Sequence, residues 1–431
     1  MRLSRRPKHR PRSVIDPVTF IERGCQLTFT YSPVHVDEVS RSTWDKPLEE
    51  FFAFTGLADS APTVAWTTTA SNQRLGYSTH GLFRYFGKFP PPIATRLIEE
   101  YTNPGDLILD PMCGSGTTGV EALWLDRPAV LNDVNPLAQL IASVKTTHLD
   151  EADMYAAVDL VTRAYAGMKP DDFLPSQIRN PSHWFETQTI DSLRRLRLAV
   201  EETSGLPGYN FVRLAFAACI RRVSKATTQQ GRLFLDVATA LDDAFPVFLK
   251  TVDRGIPRVS NLPMGFVSSN VGDVRRMSTG EQGSRARLAI VHPPYFNSYS
   301  YSAVNTLEMG WLDLNRKEVR KSEIREFFKV AKTHNVDSYV SDLSDALSSV
   351  GKSVESGGHL ALMMGDARLR GEHIQVIKPL LATLPRKFTL KKIVLRVPRF
   401  TEASWAASQR RRSGSLGVQM FDFVLIFKVV E

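Results

Sequence analysis

The chain has 431 residues, of which 43% are hydrophobic and 23% are charged, as is ordinary for a globular protein in water. No uninterrupted apolar run approaches the ~20 residues that cross a bilayer, and no apolar segment follows the cationic N-terminus, as a secretory signal would require. These features argue against a membrane or secreted protein and predict a cytoplasmic protein of a prokaryotic cell.

The charge balance favours a polyanionic partner. Lysine and arginine number 54 against 45 aspartate and glutamate, which leaves a net charge of +9. Neutralising phosphates releases counterions and supplies much of nucleic-acid affinity, although many cytosolic enzymes are mildly basic. Three cysteines, Cys25, Cys113 and Cys219, lie far apart and match no metal-ligand spacing, so we expect reduced thiols and no metal.

The first regular elements follow an N-terminal extension, residues 1–79, whose basic tail we expect to be disordered up to about residue 15. Residues 90–102 begin with prolines and continue at helical spacing, which predicts a helix. A short apolar strand then ends at Asp110, a helix includes residues 120–125, and a second strand closes on Asp133. Strand, loop, helix and strand in this order predict a parallel sheet with a right-handed crossover.

From about residue 150 to residue 250 the apolar spacing predicts helices. Strand patterns return at residues 265–267, 288–291 and 359–364, and residues 390–397 and 421–430 would form a closing antiparallel pair. The predicted fold is α/β, with a doubly wound Rossmann-like sheet, a closing antiparallel hairpin and a helical insertion. We divide the chain into the extension (1–79), a cofactor-binding catalytic domain (80–150 and 256–431) and the insertion (151–255).

A glycine-rich loop from Asp110 to Gly119 joins the first strand to the next helix. Glycines at this place let the backbone approach a ligand and direct free N–H groups towards it. Gly114, Gly116 and Gly119 read GxGxxG, which is also compatible with a dinucleotide site or an ordinary tight turn. Asp133, closing the next strand, could accept hydrogen bonds from both hydroxyls of a ribose, as found in NAD and in S-adenosylmethionine.

A second motif, His292-Pro293-Pro294-Tyr295, follows an apolar strand and so lies at the carboxyl edge of the sheet, where open α/β folds bind ligands. Two prolines fix the backbone and leave its carbonyl groups without competing N–H donors. A rigid carbonyl and a side-chain acceptor could hold the two hydrogens of an exocyclic amine, and Tyr295 could stack on an extruded base. Alternatively, this segment is a polyproline turn that packs an aromatic ring.

Together these stretches resemble the DNA amino-methyltransferases, the N4-cytosine and N6-adenine family. The resemblance rests on YFGKFPPPIATRLIEEYTNPGDLILDPMCGSGTTGVEAL, VLNDVNPLA and LAIVHPPYFNSYSY, which follow one another in the family's order, with weaker likeness in ESGGHLALMMGDARLRG and DFVLIFK. It implies a Rossmann-like methyltransferase sheet, S-adenosylmethionine as cofactor and DNA as partner, with the target base flipped out of the duplex.

The resemblance also implies roles for individual residues. The cofactor would lie near Phe86, its methionine part would rest on the glycine loop, Asp133 would hold its ribose and Asp273 its adenine, while the target amine would meet the second motif. The cofactor-binding residues implied are Lys88, Phe89, Asp110, Pro111, Cys113, Gly114, Gly116, Thr117, Asp133 and Asp273. The catalytic residues implied are His292, Pro293, Pro294 and Tyr295.

His292 departs from the family, which has Asp, Asn or Ser at this position. A neutral imidazole can accept a hydrogen bond through one nitrogen, whereas a protonated imidazole accepts none. The residues after Tyr295 look more like the cytosine branch, so the sequence favours N4 of cytosine over N6 of adenine. His292 also leaves open a catalytically silent DNA-binding subunit of a modification or defence system.

The insertion is well placed to carry target recognition. Arg221, Arg222 and Lys225 are candidate DNA phosphate contacts there, or merely exposed charges on a packing platform. The predicted function is site-specific DNA methylation, and it leaves room for a restriction or defence-system partner. An RNA base methyltransferase is the alternative with the same chemistry, and a nucleotide-dependent oxidoreductase would leave the second motif unexplained.

Overall fold

The computed structural model describes residues 31, 34–57, 60–68, 74–229, 232–236, 243–277, 285–296, 301–324, 335–369, 372–398 and 422–431. The predicted basic tail lies outside these residues. Within them, no helix is long and apolar enough to span a membrane. They also contain no group of three or more His, Cys, Asp or Glu side chains arranged to hold a metal ion.

Nine of the described strands form one mixed sheet, in the order β1-β2-β12-β13-β9-β8-β3-β4-β7. The other four form two separate hairpins, β5-β6 and β10-β11. In chain order the strands are β1 Val36–Ser40, β2 Thr63–Thr68, β3 Ile108–Asp110, β4 Ala129–Asp133, β5 Ala226–Gln229, β6 Arg232–Leu235, β7 Val267–Val271, β8 Ala286–Val291, β9 Val354–Met364, β10 Ala367–Leu369, β11 Glu372–Ile374, β12 Phe388–Pro398 and β13 Asp422–Val429.

Helices cover the sheet and form the insertion. In chain order they are α1 Lys46–Phe54, α2 Pro91–Tyr101, α3 Thr117–Trp124, α4 Pro136–Thr146, α5 Glu151–Gly167, α6 Pro181–Trp184, α7 Thr187–Glu201, α8 Tyr209–Ile220, α9 Phe245–Ser260, α10 Tyr301–Val304, α11 Thr306–Trp311, α12 Arg316–Ser322, α13 Asn335–Lys352 and α14 Ile377–Thr383. Short 3₁₀ turns lie at Arg41–Thr43, Arg74–Gly76, Ser78–Gly81 and Val274–Arg276.

The centre of the sheet is parallel and doubly wound, as predicted. Strand β3 pairs in parallel with β4 on one side and β8 on the other, and β4 pairs with β7. The chain therefore winds outwards from β3 to β4 and β7, and in the other direction from β8 to β9. Because the winding reverses between β3 and β8, their carboxyl ends border a crevice of the kind in which α/β folds bind ligands.

The closing antiparallel pair is confirmed. Strand β12 pairs antiparallel with β13, which inserts antiparallel beside β9. Beyond β12 the sheet continues with β2, in parallel, and β1, two strands that the sequence analysis did not predict. Strand β7 begins at Val267, where it pairs with Ala129, rather than at residue 265 as predicted.

The helical region does not have a core of its own. One cluster of buried apolar side chains joins the insertion helices α5, α7, α8 and α9 to α4 and to α11, with Ile141 and Trp311 among its fully buried members. Helices α2 and α3 pack on the sheet over a second cluster, which contains Ile93 and Ala122. The insertion is thus packed against the elements that flank the crevice.

The glycine loop packs closely against α4 at Gly116. This residue immediately precedes α3 and has φ +72°. A Cβ atom there would lie 2.9 Å from the Ala142 Cα of α4. A left-handed non-glycine residue costs roughly 1–2 kcal/mol and overpacking a further ~1–3 kcal/mol.

We expect Gly116→Ala to lower the melting temperature at least twice as much as Gly105→Ala, whose glycine has φ +86° but open space around it. Equal decreases would show that α4 yields to the added methyl group.

Candidate active site

The glycine loop forms the floor of a cleft at the carboxyl edge of the sheet. Gly114 adopts φ +49°, and its N–H donates to Asp133 Oδ2 at 2.9 Å. The next turn is closed by Gly116 N–H, which donates to the carbonyl oxygen of Cys113 at 2.8 Å. Helix α3 begins immediately afterwards at Thr117, so its N-terminus and unpaired N–H groups face the cleft.

Two carboxyl groups support this loop. Asp133, at the end of β4, also accepts from Asn135 N–H at 2.9 Å, and burial raises the pKa of Asp133 to about 6. Asp110, at the end of β3, accepts from Met112 N–H at 3.2 Å and from the Thr118 hydroxyl at 2.5 Å. Burial raises the pKa of Asp110 to about 7, and the nearby charge of Asp133 acts in the same direction. Asp110 therefore lies beneath the loop, whereas Asp133 borders the cleft.

Asp273 follows β7 and borders the same cleft. Its carboxylate accepts from the backbone N–H of Arg275 at 3.0 Å and from two guanidinium nitrogens of the same residue at 2.7–3.2 Å. Burial acts to raise the pKa of Asp273, but these hydrogen bonds outweigh it and hold the pKa below its usual value. Arg275 is fixed in turn by Asp342 at 3.0 Å, so Asp273 is an ionised group held in place at the cleft.

The His-Pro-Pro-Tyr segment begins one residue after β8 ends. The His292 ring meets the Phe89 and Tyr295 rings edge-on, with centroids 5.3 Å apart in each case, and its Nε2 lies 3.3 Å from the Tyr295 hydroxyl. Burial, aided by the positive charge of Arg396, lowers the pKa of His292 to about 3. The imidazole is therefore neutral near pH 7, with a lone pair available as an acceptor.

A buried tyrosine fixes the proline backbone of this segment. The Tyr339 hydroxyl, on α13, donates to the carbonyl oxygen of Pro294 at 2.7 Å, and Tyr339 is almost completely buried. Burial raises the pKa of this phenol, so it remains a donor. The direction of the Pro294 carbonyl is therefore set by a contact from outside the motif.

The opposite wall of the cleft comes from residues that the sequence analysis did not assign to the cofactor or the catalytic site. Tyr301 stacks on Tyr85 with ring centroids 6.3 Å apart, and its hydroxyl would lie 2.5 Å from a Cβ at Gly87, which has φ +73°. Glu323 accepts from the backbone N–H of Ser302 at 3.0 Å, and burial raises the pKa of Glu323. Tyr85, Gly87 and Tyr301 lie within the quoted YFGKF and LAIVHPPYFNSYSY stretches, whereas Glu323 lies outside every quoted stretch.

The cleft encloses about 910 Å³, open solvent included, which is within the ~300–1,000 Å³ of ligand pockets. It brings together ten of the predicted site residues: Lys88, Phe89, Pro111, Cys113, Gly114, Thr117, Asp133, Asp273, His292 and Pro294. The predicted residues that do not line it are Phe86, Asp110, Gly116, Pro293 and Tyr295.

The three predicted phosphate contacts lie in the insertion, away from this lining. Arg221 is largely buried and pairs with Glu308 at 2.9 Å. Lys225 pairs with Glu186 at 3.1 Å, and Arg222 is exposed, with a hydrogen bond to the Thr251 hydroxyl at 3.3 Å. The placement of Arg221 and Lys225 thus gives them contacts within the protein, and their role towards DNA stays a prediction.

The cleft, its acidic groups and its glycine loop lie at the carboxyl edge of a doubly wound α/β sheet. Residues 23–142 match a protein-family model described as DNA methylase.

The chain is also similar in sequence to three curated type II methyltransferases. The chain is 25% identical to the type II methyltransferase M.MvaI of Kocuria varians, over 57% of this chain and 61% of that protein. It is 23% identical to M.BsoBI of Geobacillus stearothermophilus, over 57% of this chain and 54% of that protein. It is 38% identical to M.MjaII of Methanocaldococcus jannaschii, over 16% of this chain and 13% of that protein. The chain thus matches 61% or less of the length of each of these relatives.

Proposed function

We propose that this protein transfers a methyl group from S-adenosylmethionine to the exocyclic amine of a DNA base flipped out of the duplex. The observation that carries the proposal is the shared cleft, whose lining includes Asp133, the glycine loop, His292 and Pro294. N4 of cytosine is favoured over N6 of adenine, on the residues that follow Tyr295. Relatives named type II methyltransferases support DNA as the substrate.

The residues of the cleft fit S-adenosylmethionine. Gly114 and Thr117 line the cleft, and the α3 N-terminus supplies N–H donors for a carboxylate. Asp133 uses one lone pair of each oxygen on backbone N–H groups, which leaves acceptor capacity for two ribose hydroxyls. Asp273 lies further along the same wall, where the resemblance expects the adenine.

The chain's own residues would act mainly by orientation and charge. When bound, S-adenosylmethionine supplies a methyl carbon whose bond to sulfur breaks, leaving its electron pair on sulfur, as the base nitrogen bonds to that carbon and then releases a proton to water. His292 and the rigid proline carbonyls would accept the amine hydrogens and stabilise the positive charge that develops on nitrogen. Alignment of the two substrates supplies the remaining rate enhancement, and no strong general base is required.

The insertion, residues 151–255, is the proposed region of target recognition. Its helices share a hydrophobic cluster with α11, which follows the catalytic segment in the chain. A recognition region that shares a core with the catalytic domain would hold the DNA in a fixed position relative to the cleft.

The test is identification of the product. Purified protein is incubated with unmethylated mixed-sequence DNA and S-adenosylmethionine, the DNA is digested to nucleosides, and methylated species are identified by mass spectrometry. We expect N4-methylcytosine. N6-methyladenine would keep the class and correct the base, whereas the absence of any methylated nucleoside from a protein that binds the cofactor would refute DNA methylation by the chain alone.

A further inference from the structure

The helical insertion contains one β-hairpin, formed by β5 and β6. The strands pair antiparallel from Ala226 opposite Leu235 to Gln229 opposite Arg232. The base of the hairpin is closed by hydrogen bonds from Lys225 N–H to the Trp184 carbonyl at 2.7 Å and from Asp236 N–H to the Lys225 carbonyl at 2.5 Å. A two-stranded ribbon thus lies against the helical platform, with Ala226 and Leu233 packed in the apolar cluster of the insertion.

Arg221 ties this hairpin to the catalytic side of the molecule. Its guanidinium donates to the Thr228 hydroxyl of β5 at 2.5 Å, to the Val304 carbonyl at 2.6 Å and to Glu308 Oε2 at 2.9 Å. Val304 is in α10, the helix whose first residue, Tyr301, lines the cleft. The hairpin is therefore held in a fixed position relative to the cleft by a mostly buried ion pair.

Strand β6 leaves two large apolar side chains partly exposed. Phe234, which pairs with Thr227, is 44% exposed and lies on the face opposite to the buried Ala226 and Thr228. Leu235, which pairs with Ala226 at the end of the strand, is 46% exposed. Two consecutive large apolar residues left in water on one strand are unfavourable unless something covers them. Their exposure points to a contact made outside the folded chain.

Two exposed arginines lie near Arg221. Arg222 is exposed one residue beyond Arg221. Arg84 is exposed above the Phe86 ring, with its guanidinium carbon 4.9 Å from the ring centroid, and lies close enough to Arg221 for the two charges to repel. Cations beside an exposed apolar pair suit a polyanion whose bases present flat apolar faces.

Resting on the proposed function, we infer that the β5-β6 hairpin contacts duplex DNA, with Phe234 and Leu235 packed against the bases next to the flipped one. The major groove admits a two-stranded ribbon, and Phe and Leu side chains are among those that wedge between base steps. When one base is extruded, the faces of the neighbouring bases are left uncovered. Two apolar side chains held in a fixed position relative to the cleft could cover them.

The test compares two variants of the full-length protein. In Phe234→Ala/Leu235→Ala we expect kcat/KM for unmethylated plasmid DNA to fall at least tenfold, and binding of the same DNA to weaken in parallel. Binding of S-adenosylmethionine and the melting temperature should stay as in the wild type, because both side chains are already exposed. Tyr155→Ala is the matched control: this ring of α5 is 45% exposed but lies near Glu151 and Asp253, so DNA binding should be unchanged.

Failure of this inference can be distinguished from failure of the proposed function. A wild-type enzyme that methylates DNA, together with a double variant that does so equally well, overturns the hairpin assignment alone. If the wild type methylates nothing, DNA binding by the two proteins is compared. Binding that is weaker in the double variant than in the wild type supports the hairpin contact. Equal binding by both proteins, or a wild type that does not bind DNA, overturns it. Loss of binding to a structured RNA but not to DNA would also overturn it.

Discussion

Replacing Asp133 with asparagine should weaken the binding of S-adenosylmethionine by about two orders of magnitude. Hydrogen bonds to a charged acceptor contribute about 1.5–3 kcal/mol each, and the proposed site offers the ribose two of them. A loss of about 3 kcal/mol corresponds to roughly 100-fold in the dissociation constant. Isothermal titration with the cofactor alone measures this effect without any assumption about DNA.

The control for this substitution is Asp126→Asn in the same βα unit. Asp126 is exposed and has φ +59°, a conformation that asparagine tolerates well, so binding should be unchanged. Because Asp133 also accepts from Gly114 N–H, the melting temperature of the Asp133 variant must be measured alongside its affinity. A folded variant that binds the cofactor as tightly as the wild type would exclude Asp133 from the ribose site.

The same carboxyl group gives the affinity a pH dependence of defined sign. Burial raises the pKa of Asp133 to about 6, and only the ionised form can accept hydrogen bonds from both ribose hydroxyls. We expect affinity for S-adenosylmethionine to be constant above about pH 7 and to fall as the pH drops through 6, by up to tenfold per pH unit. Affinity that rises on acidification would contradict this role.

The sequence predicted the parts of the site that depend on local chemistry. The apolar strands ending at Asp110 and Asp133 and the glycines between them were identifiable because a βα unit places its signals within about 25 residues of one another. The Pro-Pro segment after β8 was identifiable for the same reason. The winding of the sheet then brings these separate segments to one edge, as the structure shows.

What the sequence did not reveal depends on partners distant along the chain. Arg221 was interpreted from its charge alone, whereas its ion-pair partner, Glu308, lies 87 positions away. Strand β2 has its Trp66 and Thr67 both buried, so no alternation of polar and apolar residues marks it, and its parallel partner β12 comes more than 300 residues later. Glu323 lines the cleft but lies outside every quoted stretch, so no local pattern marked it.

The β5-β6 hairpin is a different kind of omission, because a local signal did exist. Gly231 lies in the two-residue connection between strands that contain Thr227, Thr228 and Phe234, which is a recognisable hairpin pattern. The helical spacing on either side concealed it. A hairpin within a helical insertion is therefore worth seeking in the sequence, since this one carries the exposed Phe234 and Leu235.

Replacing His292 with alanine should lower kcat by about 100-fold and leave the affinity for S-adenosylmethionine within twofold of the wild type. The loss of one preorganised acceptor at a developing charge typically costs about 10²–10³ in rate. His292→Asn keeps a neutral acceptor at the position and should retain more activity than the alanine variant. Single-turnover methylation at saturating cofactor measures both variants, and an alanine variant as fast as the wild type would exclude His292 from the chemistry.

The protonation state of His292 separates an active enzyme from a silent DNA-binding subunit. Burial, with the charge of Arg396, lowers the pKa of His292 to about 3, so the ring should stay neutral down to about pH 4. The ring signals of His292, assigned by their loss in the His292→Asn spectrum, can be followed by NMR as the pH is lowered. Titration near pH 6.5 would mean that about a quarter of the rings are charged at pH 7, and a charged ring cannot accept the amine hydrogens. A ring that stays neutral removes the physical objection to histidine in place of the family's Asp, Asn or Ser.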